Sequence, residues 1–93
     1  FLPNEVKVGP NPLTSFLEVN ILHANKGRHL IELLDNRGNQ IKAAQLDYSG
    51  MGANQKWNIG GLPAGQYFIN IRQTHSVNGR LVKKGVYQVV KIN

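Results

Sequence analysis

The sequence predicts an all-β fold, an antiparallel immunoglobulin-like β-sandwich of about seven strands, on three observations. Strand signals recur roughly every eight to twelve residues, separated by clusters of Gly, Asn and Pro. No helical period competes with them. Gly60-Gly61-Leu62-Pro63-Ala64-Gly65, a turn of special backbone residues, feeds directly into an alternating strand, as the corner of a Greek-key sandwich requires. A small barrel is the alternative closure.

Residues 1–9 read as an edge strand, its pairing limited by Pro3 and Pro10, or as a linker; residues 10–93 read as the sandwich itself. Phe16 to Leu22 alternates Leu17, Val19 and Ile21 against Glu18 and Asn20. His29 to Asp35 places Ile31 and Leu33 inward, and Gln40 to Asp47 carries Ile41 and Ala43. Between them Asn36-Arg37-Gly38-Asn39 supplies a tight reversal, with Gly38 at the positive φ of a bulged hairpin. Ser49 to Asn54 is small and glycine-rich and reads as a loop. Gln55 to Ile59 puts Trp57 and Ile59 on one side, which makes Trp57 a core residue.

At the corner, Pro63 fixes φ for the turn and Gly65 takes a positive φ at no steric cost. Tyr67, Ile69 and Ile71 then share one face, and Tyr67 is placed to send its hydroxyl back to an upstream backbone group. Val77-Asn78-Gly79-Arg80 turns the chain again. Leu81 to Lys84 and Val86 to Ile92 follow on either side of Gly85, read as a bulge or kink.

A 93-residue chain forms one domain, and without cysteine its stability comes from packing. It starts Phe-Leu-Pro, with no initiator methionine, no signal segment and no apolar run long enough for a membrane helix. These features predict a piece of a longer protein whose signal peptide and partner domains lie upstream.

The formal net charge is +6, and all five acids (Glu5, Glu18, Glu32, Asp35, Asp47) lie in the first half. From Tyr48 onward Lys56, Arg72, Arg80, Lys83, Lys84 and Lys91 stand without an acid. A field of one sign favours encounter with an anionic partner, and edge lysines also discourage aggregation.

The inventory for catalysis is poor, and no enzyme or cofactor is expected. His23, His29 and His75 are not at metal-ligand spacing, and Ser15, Ser49 and Ser76 lack a glycine-flanked elbow. Asp35 and Asn39 flank a glycine but lack the alternating carboxylates of a calcium loop. Trp57, Tyr48 and Tyr87 are the aromatics a sugar platform would use, so a carbohydrate-binding or fibronectin-III-like accessory module of a secreted hydrolase is the rival reading. Nucleic-acid binding is not expected, since aromatic residues do not interleave with the bases on a sheet face.

Three motifs appear in order: Pro10-Asn11-Pro12, then Asp35-Asn36-Arg37-Gly38, then Leu62-Pro63-Ala64-Gly65-Gln66-Tyr67, with a basic-apolar strand from Lys83 to Asn93 at the end. Over nearly the whole chain this arrangement resembles the C-terminal sorting domain of the type IX secretion system of Bacteroidetes. The hairpin Gln73 to Arg80 is longer than in many members, and the chain ends in Ile92-Asn93 rather than in lysine.

The resemblance implies an address for export of an upstream passenger in the same chain, recognised in its folded form. It implies transit through the periplasm, and handover to an outer-membrane shuttle and a translocon. A sortase-like protease then cuts the passenger free, leaving it secreted or held on the cell surface. The recognition or motif residues it implies are Pro10, Asn11, Pro12, Gly38, Leu62, Pro63, Gly65 and Tyr67. A C-terminal edge strand, Val86 to Ile92, is expected to pair with a partner, with Lys83, Lys84 and Lys91 fixing orientation. Open edges of this kind also allow self-association.

Overall fold

The computed structural model describes residues 1, 4–22, 27–75 and 77–92. The expectations for Pro3, His23, Ser76 and Asn93 lie outside the described residues. Among the described residues seven strands follow one another: β1 (Val6–Gly9), β2 (Phe16–Ile21), β3 (Gly27–Leu34), β4 (Gln40–Tyr48), β5 (Ala53–Asn58), β6 (Gly65–Thr74) and β7 (Leu81–Lys91). They form a three-stranded sheet, β1-β2-β5, and a four-stranded sheet, β4-β3-β6-β7, with every strand pair antiparallel. This is the sandwich that the alternating pattern predicts.

The strands form because their apolar residues recur at every second position, and burying that one face removes it from water. Leu17, Val19 and Ile21 of β2 face Ile31 and Leu33 of β3 and Ile69 and Ile71 of β6, all buried in one core. The pairing of Leu17 with Trp57 puts the indole on the same side, half-buried against that core, and Ile59 beyond it is buried. Val6 joins the core from β1, an edge strand paired with β2. Tyr48, at the end of β4, is buried and donates its hydroxyl proton to the Leu22 carbonyl at 2.5 Å.

Two expectations are corrected. Ile41 packs against the core, but Ala43 faces outward, because the β3–β4 register shifts between Leu33 and Leu34. Ile41 is the extra residue, and from there Lys42, Ala44, Leu46 and Tyr48 take the inward parity. Gly85 is no kink, since β7 runs unbroken through it opposite Ile71. A Cβ at Gly85 would come within 3.0 Å of the Phe1 ring and 3.2 Å of the Tyr87 ring, so the glycine makes room for two aromatics. The irregularity lies instead at Val82, which has no partner between the pairs Gln73–Lys83 and Thr74–Leu81.

Candidate functional site

The three sequence motifs, far apart in the chain, meet at one end of the four-stranded sheet. Register places them there: Leu34 pairs with Phe68, Gly65 with Lys91, and Leu13 bridges Lys91 in parallel. The hairpin between β3 and β4 is held by Asp35, whose Oδ1 accepts the backbone N–H groups of Arg37 and Asn39, both at 2.9 Å. Its Oδ2 accepts the Asn39 side-chain amide at 3.2 Å. Gly38, at φ +84°, returns its N–H to the Asp35 carbonyl at 3.1 Å. The Asn39 backbone N–H, foremost among these donors, holds the Asp35 carboxyl below its ordinary range. A carboxylate at the first position and a glycine at the fourth are what this turn needs.

The second motif is a tyrosine corner. The Leu62 N–H bonds the Ile59 carbonyl at 3.0 Å, Leu62 packs against the core, and Gly65 sits at φ +149°. Tyr67 is 6 % exposed, and its hydroxyl donates to the Pro63 carbonyl at 2.5 Å. Hairpin and corner border a common open groove of about 360 Å³, with Asp35, Arg37 and Asn39 on one side and Leu62, Pro63 and Gln66 on the other.

The Pro-Asn-Pro segment carries the chain from the edge of one sheet to the edge of the other. Both of its prolines follow cis peptide bonds. Asn11 Oδ1 accepts the Val90 N–H at 3.1 Å. Leu13, fully buried, donates its N–H to the Val90 carbonyl at 2.7 Å and accepts the Ile92 N–H at 2.9 Å. The C-terminal part of β7 is thus already paired.

β7 is an edge strand, but the three lysines expected to present their charge along it differ. Lys91 is 3 % exposed, its backbone bridged by Leu13, and Lys83, partly exposed, is held by the buried Glu5 at 3.1 Å. Lys84 alone of the three projects freely from the outer face. Inward parity turns the side chains of Lys83 and Lys91 toward the core side of the sheet.

The opposite end of the core holds a polar cluster that sequence reasoning missed. His29 is fully buried, and its Nδ1 lies 3.2 Å from the Gly27 carbonyl, so Nδ1 carries the proton. Its Nε2 has no hydrogen-bond partner among the described residues. Phe1 and Tyr48 rings flank it at 5.9 and 6.2 Å, and burial lowers its pKa. Burial, with the nearby Glu5 carboxylate second, raises the Tyr87 pKa. The signal was parity: His29 stands two residues before Ile31, and buried Gln73 two after Ile71.

Trp57, Tyr48 and Tyr87, the aromatics a sugar platform would use, all face the core. No group of three or more His, Cys, Asp or Glu able to hold a metal ion occurs among the described residues.

A family model described as a secretion system C-terminal sorting domain matches residues 7–86. No curated protein and no solved structure matches the chain.

Proposed function

The chain belongs to the family of secretion system C-terminal sorting domains, the sorting signal of the type IX system, and from that premise we propose how the domain is used. As such a signal it is attached to an upstream passenger, is recognised by the type IX machinery, and directs export across the outer membrane to the cell surface or the medium. The family is not known as catalytic. Beyond this, we take the domain to fold in the periplasm and to pass from an outer-membrane shuttle to the translocon. A sortase-like protease then separates it from the passenger.

The observation that carries this use is the convergence of Pro10-Asn11-Pro12, the Asp35–Gly38 hairpin and the Leu62–Tyr67 corner at one end of one sheet. Such a surface exists only in the folded chain, so a receptor for it reads the fold and not a linear tag. Pro10, Asn11, Pro12, Gly38, Leu62, Pro63, Gly65 and Tyr67 act by building that end. The recognised unit takes in β1 together with residues 10–93, because Val6 is part of the core.

The test is export. Residues 1–93 behind a signal peptide and a fluorescent passenger should reach the surface or medium of a type IX-competent bacterium and stay in the periplasm of a translocon-deficient strain. Removal of residues 83–93 should abolish export. Equal export of full and truncated fusions, or export that ignores the translocon, would refute the proposal.

A further inference from the structure

We propose that the middle of β7, Lys84 to Gln88, accepts an extended acidic strand of a partner protein, which adds to the four-stranded sheet at this edge. The inference deepens the sorting function and rests on it only for where the partner resides.

The main chain defines the site. Val90 turns its N–H and C=O away from β6, since Asn11 and Leu13 bond them. Alternate residues of a regular strand point their peptide groups the same way, and the β6–β7 register is unbroken from Lys83 to Lys91. Lys84, Val86 and Gln88 therefore turn their N–H and C=O groups to the same open edge. Among the described residues, no backbone hydrogen bond outside the strand ladders reaches them. The window is bounded at both ends: Asn11 and Leu13 close it at Val90, and the irregularity at Val82 ends the regular edge on the other side. What remains spans about 17 Å, enough for a short strand.

Side chains and charge select the occupant. Val82, Val86 and Val90 stand in one row on the outer face, 44 %, 63 % and 41 % exposed, with Lys84 between the first two. Natural edges are usually blunted by charge, proline or a cover, and between Lys84 and Gln88, among the described residues, Lys84 alone does so. Within the window the row fits a strand that places an apolar, β-branched residue beside Val86 and a carboxylate beside Lys84. The nearby acids are already engaged, Glu5 by Lys83 and Glu32 by Arg72, which pairs opposite Lys84, so Lys84 is left as the uncompensated charge. The field at this edge therefore favours an acidic partner. A second copy would bring its own basic edge against this one, and a lipid surface offers no peptide groups to complete a ladder.

The experiment uses the 93-residue chain and fluorescent synthetic peptides, followed by anisotropy. A peptide alternating Val and Glu should bind in the micromolar range, and one alternating Val and Lys should not. Raising salt from about 0.05 to 0.5 M should weaken the acidic peptide several-fold. N-methylation of one alternate set of its peptide groups should lower affinity by about tenfold or more, and methylation of the other set should leave it unchanged, which leaves the protein untouched. Lys84→Glu, with its fold checked by circular dichroism, should reverse the preference between the two peptides.

Equal binding of both peptides, equal effects of the two methylation patterns, or no binding overturns the proposal. So does dimerisation at micromolar concentration that blocks the peptide, or binding to anionic vesicles only. Fusions that are exported although the chain binds no acidic strand would sink strand addition and leave sorting standing. Strand binding by a chain that fails to export its passenger would do the reverse.

Discussion

Tyr67→Phe isolates a single hydrogen bond. The ring is 6 % exposed and stays in place in the variant, so the packing of the corner is kept and only the hydroxyl is lost. That hydroxyl donates to the Pro63 carbonyl, four residues upstream, and fixes the angle at which the corner enters β6. Losing a buried hydrogen bond and stranding its partner costs about 1–3 kcal/mol. Pro63 is itself exposed, so water reaches its carbonyl and the cost falls to about 1–2 kcal/mol. For a domain of this size that lowers Tm by about 5–15 °C. Urea denaturation followed by Trp57 fluorescence should show a lower midpoint at an unchanged slope. Tyr48→Phe is the companion variant, because it removes an equivalent bond, to Leu22, at the other end of the molecule, and a similar loss is expected. A midpoint for Tyr67→Phe within error of the parent would refute the corner as a structural pin.

Trp57→Ala, which removes the fluorescent probe itself, should destabilise by about 2–3 kcal/mol in urea denaturation followed by circular dichroism, less than a full core deletion because the indole is half-buried on an edge strand. No loss at all would remove Trp57 from the core. Gly85→Val should cost about 1–2 kcal/mol, because its side chain enters the space of the Phe1 and Tyr87 rings; a stabilised variant would show that the socket is empty. His29 gives a pH dependence. Burial lowers its folded pKa below the ordinary 6.5, with the Gly27 carbonyl and then Glu5 acting the other way, so the unfolded chain binds the proton first. The stability that comes from keeping the ring neutral is complete above the unfolded value and is lost as pH falls through it toward the folded value. The parent should therefore lose stability on acidification faster than His29→Gln, and parallel curves for the two would refute the assignment.

How far the fold was legible depended on the range of the interaction. The hairpin and the corner are chemistry within a few residues: Asp35 caps its own turn, and Tyr67 reaches Pro63. Ile31, Leu33, Ile69 and Ile71 follow from parity alone. The parity of Ala43 failed because an extra residue at Ile41 is fixed by pairing with β3, which no local pattern reveals. Gly85 was misread for a similar reason: its lack of a side chain answers to the ring of Phe1, far away in sequence. The contacts of Glu5 with Lys83 and of Asn11 with Val90 join positions 78 and 79 residues apart. A lysine therefore looked free in sequence, and a turn motif hid a cap on the last strand.

That cap bears on what an exported address requires. A lone sandwich whose last strand lies at a sheet edge risks pairing with any extended chain it meets. Asn11 and Leu13 remove the end of that edge from competition, and Leu13 is buried in doing so. Closing the whole edge would leave a receptor nothing but side chains to read, and leaving it all open would admit any strand. A partly covered edge beside a basic, valine-lined face admits a strand of the right length and charge. On the proposed strand addition, the Pro-Asn-Pro motif restricts what the edge can bind as well as turning the chain. The 79-residue separation of Asn11 and Val90 ties that cap to complete folding, because β7 must be in place before Asn11 can reach it.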